Sequence, residues 1–349
     1  MSDPTPSIPT IAETDPRHEV WIIRPPRRRL WLHIVLLLAT FLSTTVVGAR
    51  IEFNFLNRQP AFSMADDSLS LFPVVWILHQ PSHLLLGLPF SLTLMFILLA
   101  HEMGHYLYAR HYGVYATLPY FVPFPSLIGT LGAFIRIRSP IPSRAALFDI
   151  GIAGPLAGFI PACMALFTGL LMSPPVDGAI KADSSIEIGF PWAFHLTARL
   201  LHVRAPLSAL ALHPMAVAAW VGLFATAMNL LPGGQLDGGH IVFSIFPRFH
   251  RAISFLAVVA LIVLGKYFWM GWVIWSVLLA MTVRHPAVPT VPSSLGRRRG
   301  VALLAAAMLA LSFTPAPIRH SSGRKMWREE IGPAIQQGVE GARQLLHHR

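Results

Sequence analysis

The sequence predicts an all-α polytopic membrane protein with about six transmembrane helices and a seventh doubtful one. Three observations carry that expectation. Hydrophobic residues make up 54% of the 349 residues and charged residues only 12%, half the roughly 25% that covers a water-facing globular surface. Mean hydropathy is +0.57. Apolar runs of spanning length recur along the chain, separated by arginine-bearing connections. Disorder as the main state is excluded, because it requires low hydrophobicity, and so is a single soluble domain.

The elements follow in order. Residues 1–29 are Pro-rich and then basic, without the apolar core of a cleavable signal peptide. They read as a disordered cytoplasmic N-terminus. A spanning helix needs about 20 mainly apolar residues. Leu30 to Ala49, Leu84 to Tyr108, Leu147 to Met172 and His213 to Leu231 meet that length. Ala252 to Gly265 and Phe268 to Val283 are shorter and read as a helical hairpin. The transmembrane core is therefore 30–283. Residues 284–349 form a basic linker, a weak apolar segment at 301–313 and a tail, of which Trp327 to Leu346 could lie on the membrane surface as a helix.

Arginines set the expected orientation, since cytoplasmic loops carry an excess of Lys and Arg. With Arg24 and Arg27 to Arg29 inside, Arg110, Arg136, Arg138, Arg144, Arg248, Arg251 and Arg284 also fall inside, and 173–212 forms an external loop. The same rule accounts for the net charge of +11 without a nucleic-acid partner. The expected home is a prokaryotic cytoplasmic membrane, with the active side facing the cytoplasm. Cys163 is the single cysteine, so no internal disulfide can form.

Residues 114–138 are apolar but broken by Pro119, Pro123, Pro125, Gly129 and Gly132, which forbid a regular helix. Irregular backbone at membrane depth is tolerated only inside protein or along a wet cavity. The alternation over Gly132 to Arg138 predicts a strand or hairpin in a re-entrant segment.

The chemistry lies in the second span. His101-Glu-Met-Gly-His105 is an H-E-x-x-H run. On a helix, residues four apart sit about 40° apart around the axis, so both imidazoles face one point and can bind one metal ion. Glu102 lies beside them and can take a proton from an attacking water. Ionisable residues within a span are costly and point to function. Catalytic zinc usually takes three protein ligands. His111 has the spacing of a third histidine, but Tyr108 stands where the extended motif needs Gly. The better third ligand is Asp237, in Asn229-Leu-Leu-Pro-Gly-Gly-Gln-Leu-Asp-Gly-Gly-His240. Glycines and Pro232 can hold it off the helical path, and His₂-carboxylate is an accepted zinc set.

Together, H-E-x-x-H in one span and N-x-x-P-x-x-x-x-D-G in a later one resemble the site-2 protease family, the intramembrane zinc metalloproteases of peptidase family M50. Gly151-Ile-Ala-Gly-Pro155 is similar to the family's G-x-x-G-P run. The resemblance covers about Leu84 to His240. It implies one Zn²⁺ held by His101, His105 and Asp237, Glu102 as general base, and Asn229 positioning substrate or stabilising the oxyanion. It places the re-entrant segment beside the active site. It also implies cleavage of a peptide bond within or near a transmembrane segment of a membrane-protein substrate, such as a membrane-anchored regulator or a remnant signal peptide. The 173–212 stretch is too short for the PDZ domain many members carry.

Two other classes compete. A di-iron oxidase or desaturase would use clustered histidines, and His79 and His83 form an H-x-x-x-H pair, but no H-x-x-H-H cluster is present. A transporter or scaffold with a structural metal would use helices broken by Pro and Gly, but no internal repeat is evident. Gly151 to Gly158 also reads simply as small residues spaced for close helix contact.

Overall fold

The structure is a computed structural model. It describes residues 29–63, 72–176, 186–286, 288–289 and 296–319. The expected disordered N-terminus and the surface helix at 327–346 lie outside them.

Helices dominate the described residues. In chain order they are α1 (Leu30–Leu56), α2 (Val74–His79), α3 (Leu88–His111), α4 (Arg144–Leu171), α5 (Trp192–Leu200), α6 (Pro214–Asn229), α7 (Asp237–Ile245), α8 (His250–Tyr267), α9 (Gly271–Met281) and α10 (Gly296–Ser312). Four stretches are long and apolar enough to cross a membrane: Leu30–Leu56, Pro81–His111, Arg144–Leu171 and His250–Tyr267. The two remaining expected spans form shorter apolar helices, α6 and α9. The count of six therefore reduces to four by length.

The ends of these helices are legible locally. Ser143 caps α4 by accepting from the Ala146 N–H at 3.1 Å, satisfying one otherwise orphaned donor. Pro214 opens α6 where a missing N–H costs nothing. α3, α4 and α6 pack together at the centre. α6 is buried nearly throughout, with Ala216, Val217, Ala218, Ala219 and Leu223 meeting Ile97 of α3 and Leu166 and Leu170 of α4 in one core cluster. By contrast α1, α8 and α9 expose rows of large apolar side chains, among them Ile34, Leu38, Phe255, Ile262 and Ile274. Patches of that size suit lipid rather than water.

The segment between α3 and α4 is a β-hairpin. β1 (Tyr120–Pro123) pairs antiparallel with β2 (Thr130–Phe134), and Ala116 bridges Ile137 below them. The hairpin lies along α1. His33 Nδ1 donates to Pro119 O at 3.0 Å, and Ser43 Oγ to Gly129 O at 2.6 Å. Those contacts are ten residues apart, about 15 Å along the helix axis. Gly129 turns the tip at φ +79, with a Cβ there only 2.7 Å from the Ser43 carbonyl oxygen, so both its conformation and its clearance require glycine.

The weak apolar segment at 301–313 falls within α10. Arg298 near its start is bound to Asp149, in the second turn of α4. Its far end leads to β4 (Ile318–Arg319), which pairs with β3 (Glu187–Ile188) in the connection after α4. α10 therefore runs beside α4 from one end to the other. Ala305 and Met308 bury against Phe148 and Ile152 of α4 and Ile241 of α7.

Candidate metal centre

His101, Glu102 and His105 are all buried on α3. Their face of the helix turns toward α4, and α4 has no side chains where the rings lie. A Cβ added at Gly154 would come to 2.0 Å from His105 Nε2, and one at Gly158 to 2.9 Å from His101 Cβ. Across the same seam, Gly104 of α3 lies against the Ala153 backbone of α4. The glycines thus supply the volume that two imidazoles occupy.

α4 also orients a ring. His105 Nδ1 lies 2.7 Å from Ile150 O. A carbonyl only accepts, so Nδ1 carries the hydrogen and Nε2 presents its lone pair. That Nε2 is 3.2 Å from His101 Nε2, and each ring nitrogen is 3.3 Å from Asp237 Oδ2.

Asp237 is the first residue of α7, delivered by a turn that folds back beneath it. Gly234 adopts φ +60. Its N–H donates to Ser254 Oγ at 3.0 Å, and its carbonyl accepts from His250 Nε2 at 3.1 Å, both on α8. The expected kink after Pro232 is therefore braced by the α8–α9 pair. Asn229, the last residue of α6, brings its side-chain Nδ2 to 3.2 Å from His101 Nε2.

These residues fit a divalent metal. Asp237 Oδ2 is buried with no hydrogen-bond partner, and the polar atoms nearest it are two imidazole nitrogens. One donor atom from each of the three residues lies within 4.8 Å of the others. Buried lone pairs left facing one another are costly without a shared cation, and two His with one carboxylate is a zinc donor set. Among the described residues it is the one group of three or more such side chains.

Glu102 has a neighbour that sequence reasoning missed. The backbone N–H of Ile135, just past β2, faces its carboxylate, which sets the hairpin beside the metal group. No local pattern forecasts a contact between residues this far apart.

Other candidates lie elsewhere. His111 ends α3, exposed and edge-on to Tyr112. His83 stacks on Trp76, away from the centre. His240 does enter a cluster, one that sequence reasoning missed. Its Nδ1 is 2.8 Å from His285 Nε2, while His285 Nδ1 donates to Pro286 O at 2.7 Å. Burial lowers the His285 pKa, which favours its neutral form, so its Nε2 accepts from His240. Tyr112 and Arg298 both donate to Asp149, with Arg298 Nε and Nη2 at 2.9 and 2.6 Å, clasping α3, α4 and α10 at one end.

Comparison with known proteins accords with this geometry. The profile of peptidase family M50 matches residues 89–270. "Probable zinc metalloprotease EGY2, chloroplastic" of Arabidopsis thaliana is 34% identical over 237 residues, covering 67% of this chain and 41% of its own length. "Probable zinc metalloprotease EGY1, chloroplastic" of Oryza sativa subsp. japonica is 29% identical over 304 residues, 83% of this chain and 51% of its own. Its Arabidopsis thaliana namesake is 27% identical over 308 residues, 84% and 55%. The chain spans about half the length of the curated relatives it matches. They also overturn one expectation. They are chloroplast proteins of plants, which contradicts a prokaryotic cytoplasmic membrane. Hydropathy and arginine placement register that a bilayer is crossed, not which one.

Proposed function

The chain belongs to peptidase family M50, and from that premise we propose that it is an intramembrane zinc metalloprotease of a chloroplast membrane. The observation that carries this reading is the convergence of His101 Nε2, His105 Nε2 and the unpartnered Asp237 Oδ2 beside a buried glutamate. His101, His105 and Asp237 would hold the ion. Zinc bound there supplies Lewis-acid polarisation of a carbonyl and eases ionisation of water.

The chain's own residues do the rest. Glu102 takes the proton of the attacking water on its carboxylate and returns it to the departing amine. The Ile135 N–H faces that carboxylate. The Asn229 amide, beside His101, is a donor for the oxyanion that forms as water adds.

A spanning substrate hides its backbone in helical hydrogen bonds, so it must unwind before it is cut. The hairpin is read as a re-entrant element that receives it. β2 pairs with β1 along one edge in a two-stranded sheet, and its other edge can pair with an extended peptide. Its end lies at Glu102. In this reading α6, enclosed by the longer helices, and α9, facing lipid with Ile274 and Val277, also cross the bilayer. The substrate is a transmembrane protein.

The test uses the full chain reconstituted with a transmembrane model peptide. Wild type cuts the peptide. Glu102→Gln keeps zinc and loses activity by about 10²–10⁴-fold, the usual contribution of a general base. Undiminished cleavage by the zinc-loaded variant would refute this role.

A further inference from the structure

Arg248 just before α8, Arg251 in its first turn and Arg284 just after α9 line one cleft of about 790 Å³. Its remaining wall is apolar, with Phe255, Met281 and Val283. All three arginines are exposed, and among the described residues no carboxylate pairs with them. α8 and α9 run antiparallel, so its first turn and the end of α9 meet at one end of the pair.

That end lies at headgroup level. α8 has 18 residues, about 27 Å of helix, close to the roughly 30 Å hydrocarbon thickness. Outward from the cleft the pair presents Phe255, Leu256, Val259, Ile274 and Val277, a surface suited to acyl chains. The positive end of the α8 dipole adds to the attraction for an anion. Arginines at helix ends are common under the positive-inside rule. What sets these apart is convergence from two helices onto one cleft with apolar walls that opens along a lipid-facing surface.

We propose that this cleft binds an anionic phospholipid, its phosphate on Arg248, Arg251 and Arg284 and its upper acyl chains along Phe255 and Met281. Basic pockets between membrane helices bind acidic headgroups in this way. The site reaches the metal centre through short contacts. The α8 residues His250 and Ser254 hold Gly234, and Gln235 Nε2 donates to Arg284 O at 3.2 Å. These two loop residues precede Asp237 by three and two positions. A bound lipid therefore braces the turn that delivers Asp237.

The test is lipid binding by the full chain in neutral detergent, counted by native mass spectrometry, and it does not depend on proteolytic activity. Phosphatidylglycerol, phosphatidylcholine and inorganic phosphate are the probes. Phosphatidylglycerol binds wild type in preference to phosphatidylcholine, and R248Q/R251Q/R284Q weakens it about a hundredfold, the effect of three near-surface arginines at about 1 kcal/mol each. If the triple variant does not fold, R251Q alone loses about fivefold by the same conversion. Unchanged phosphatidylglycerol affinity in the folded variants, or equal affinity for phosphatidylcholine, overturns the site. Displacement of the lipid by inorganic phosphate as effectively as by phosphatidylglycerol itself overturns the lipid as its ligand.

Discussion

The α3–α4 and α8–α9 pairs are both apolar helix pairs, yet they join by opposite means. In α8–α9 bulk meets bulk: Val258 and Leu261 close against Trp272 and Leu279. In α3–α4 the seam is made of absence. Gly104, Gly154 and Gly158 remove side chains so that His101 and His105 fit between the helices. Membrane helices gain little from apolar burial against each other and depend on close packing. A seam of bulky residues satisfies that requirement and leaves no room for chemistry. A seam of glycines satisfies it and admits two imidazoles.

Substitutions can break this comparison or sharpen it. Gly154→Ala carries the largest effect after the loss of Glu102. Its methyl meets the His105 ring, and overpacking of this kind costs about 1–3 kcal/mol. Zinc content falls together with the thermal midpoint. Gly265→Ala is the matching change in the other pair, where the new Cβ sits 2.5 Å from Val273 Cγ2. It lowers the midpoint by the small end of the same range and leaves zinc content unchanged. Loss of zinc in Gly265→Ala would dissolve the distinction between the pairs. Gly300→Ala is the smallest and opposite in sign. Nothing lies within 4 Å of its Cβ in α10, so the smaller conformational freedom that alanine loses on folding raises stability by about 0.5–1 kcal/mol.

How far these features were legible follows from their range along the chain. H-E-x-x-H on one helix is a local pattern, and so is the Pro- and Gly-broken alternation that becomes the β1–β2 hairpin. Asp237 was legible because its glycine-flanked turn is written in consecutive residues. The Gly151 to Gly158 run announced close helix contact, but not that its partner would be the histidine ring of another span. The Ile150 carbonyl on His105, the Ile135 N–H on Glu102 and the Asp149 clasp on α10 join residues far apart in sequence. Each depends on how whole helices dock, and no periodicity encodes it. His213 to Leu231 has spanning length in the sequence, but the helix within it, α6, has 16 residues and is nonetheless the most enclosed helix of the centre.

The central claim is that α3 and the turn before α7 complete one metal site together. It is tested most directly by the zinc content of the full chain beside Asp237→Ala, both purified in detergent and offered zinc before desalting. The account predicts about one zinc ion per chain, as a single three-ligand site requires, and a marked loss in the variant with the helical content unchanged. Equal zinc in both proteins would contradict it, since His101 and His105 would then hold the ion without the carboxylate that the fold delivers to them.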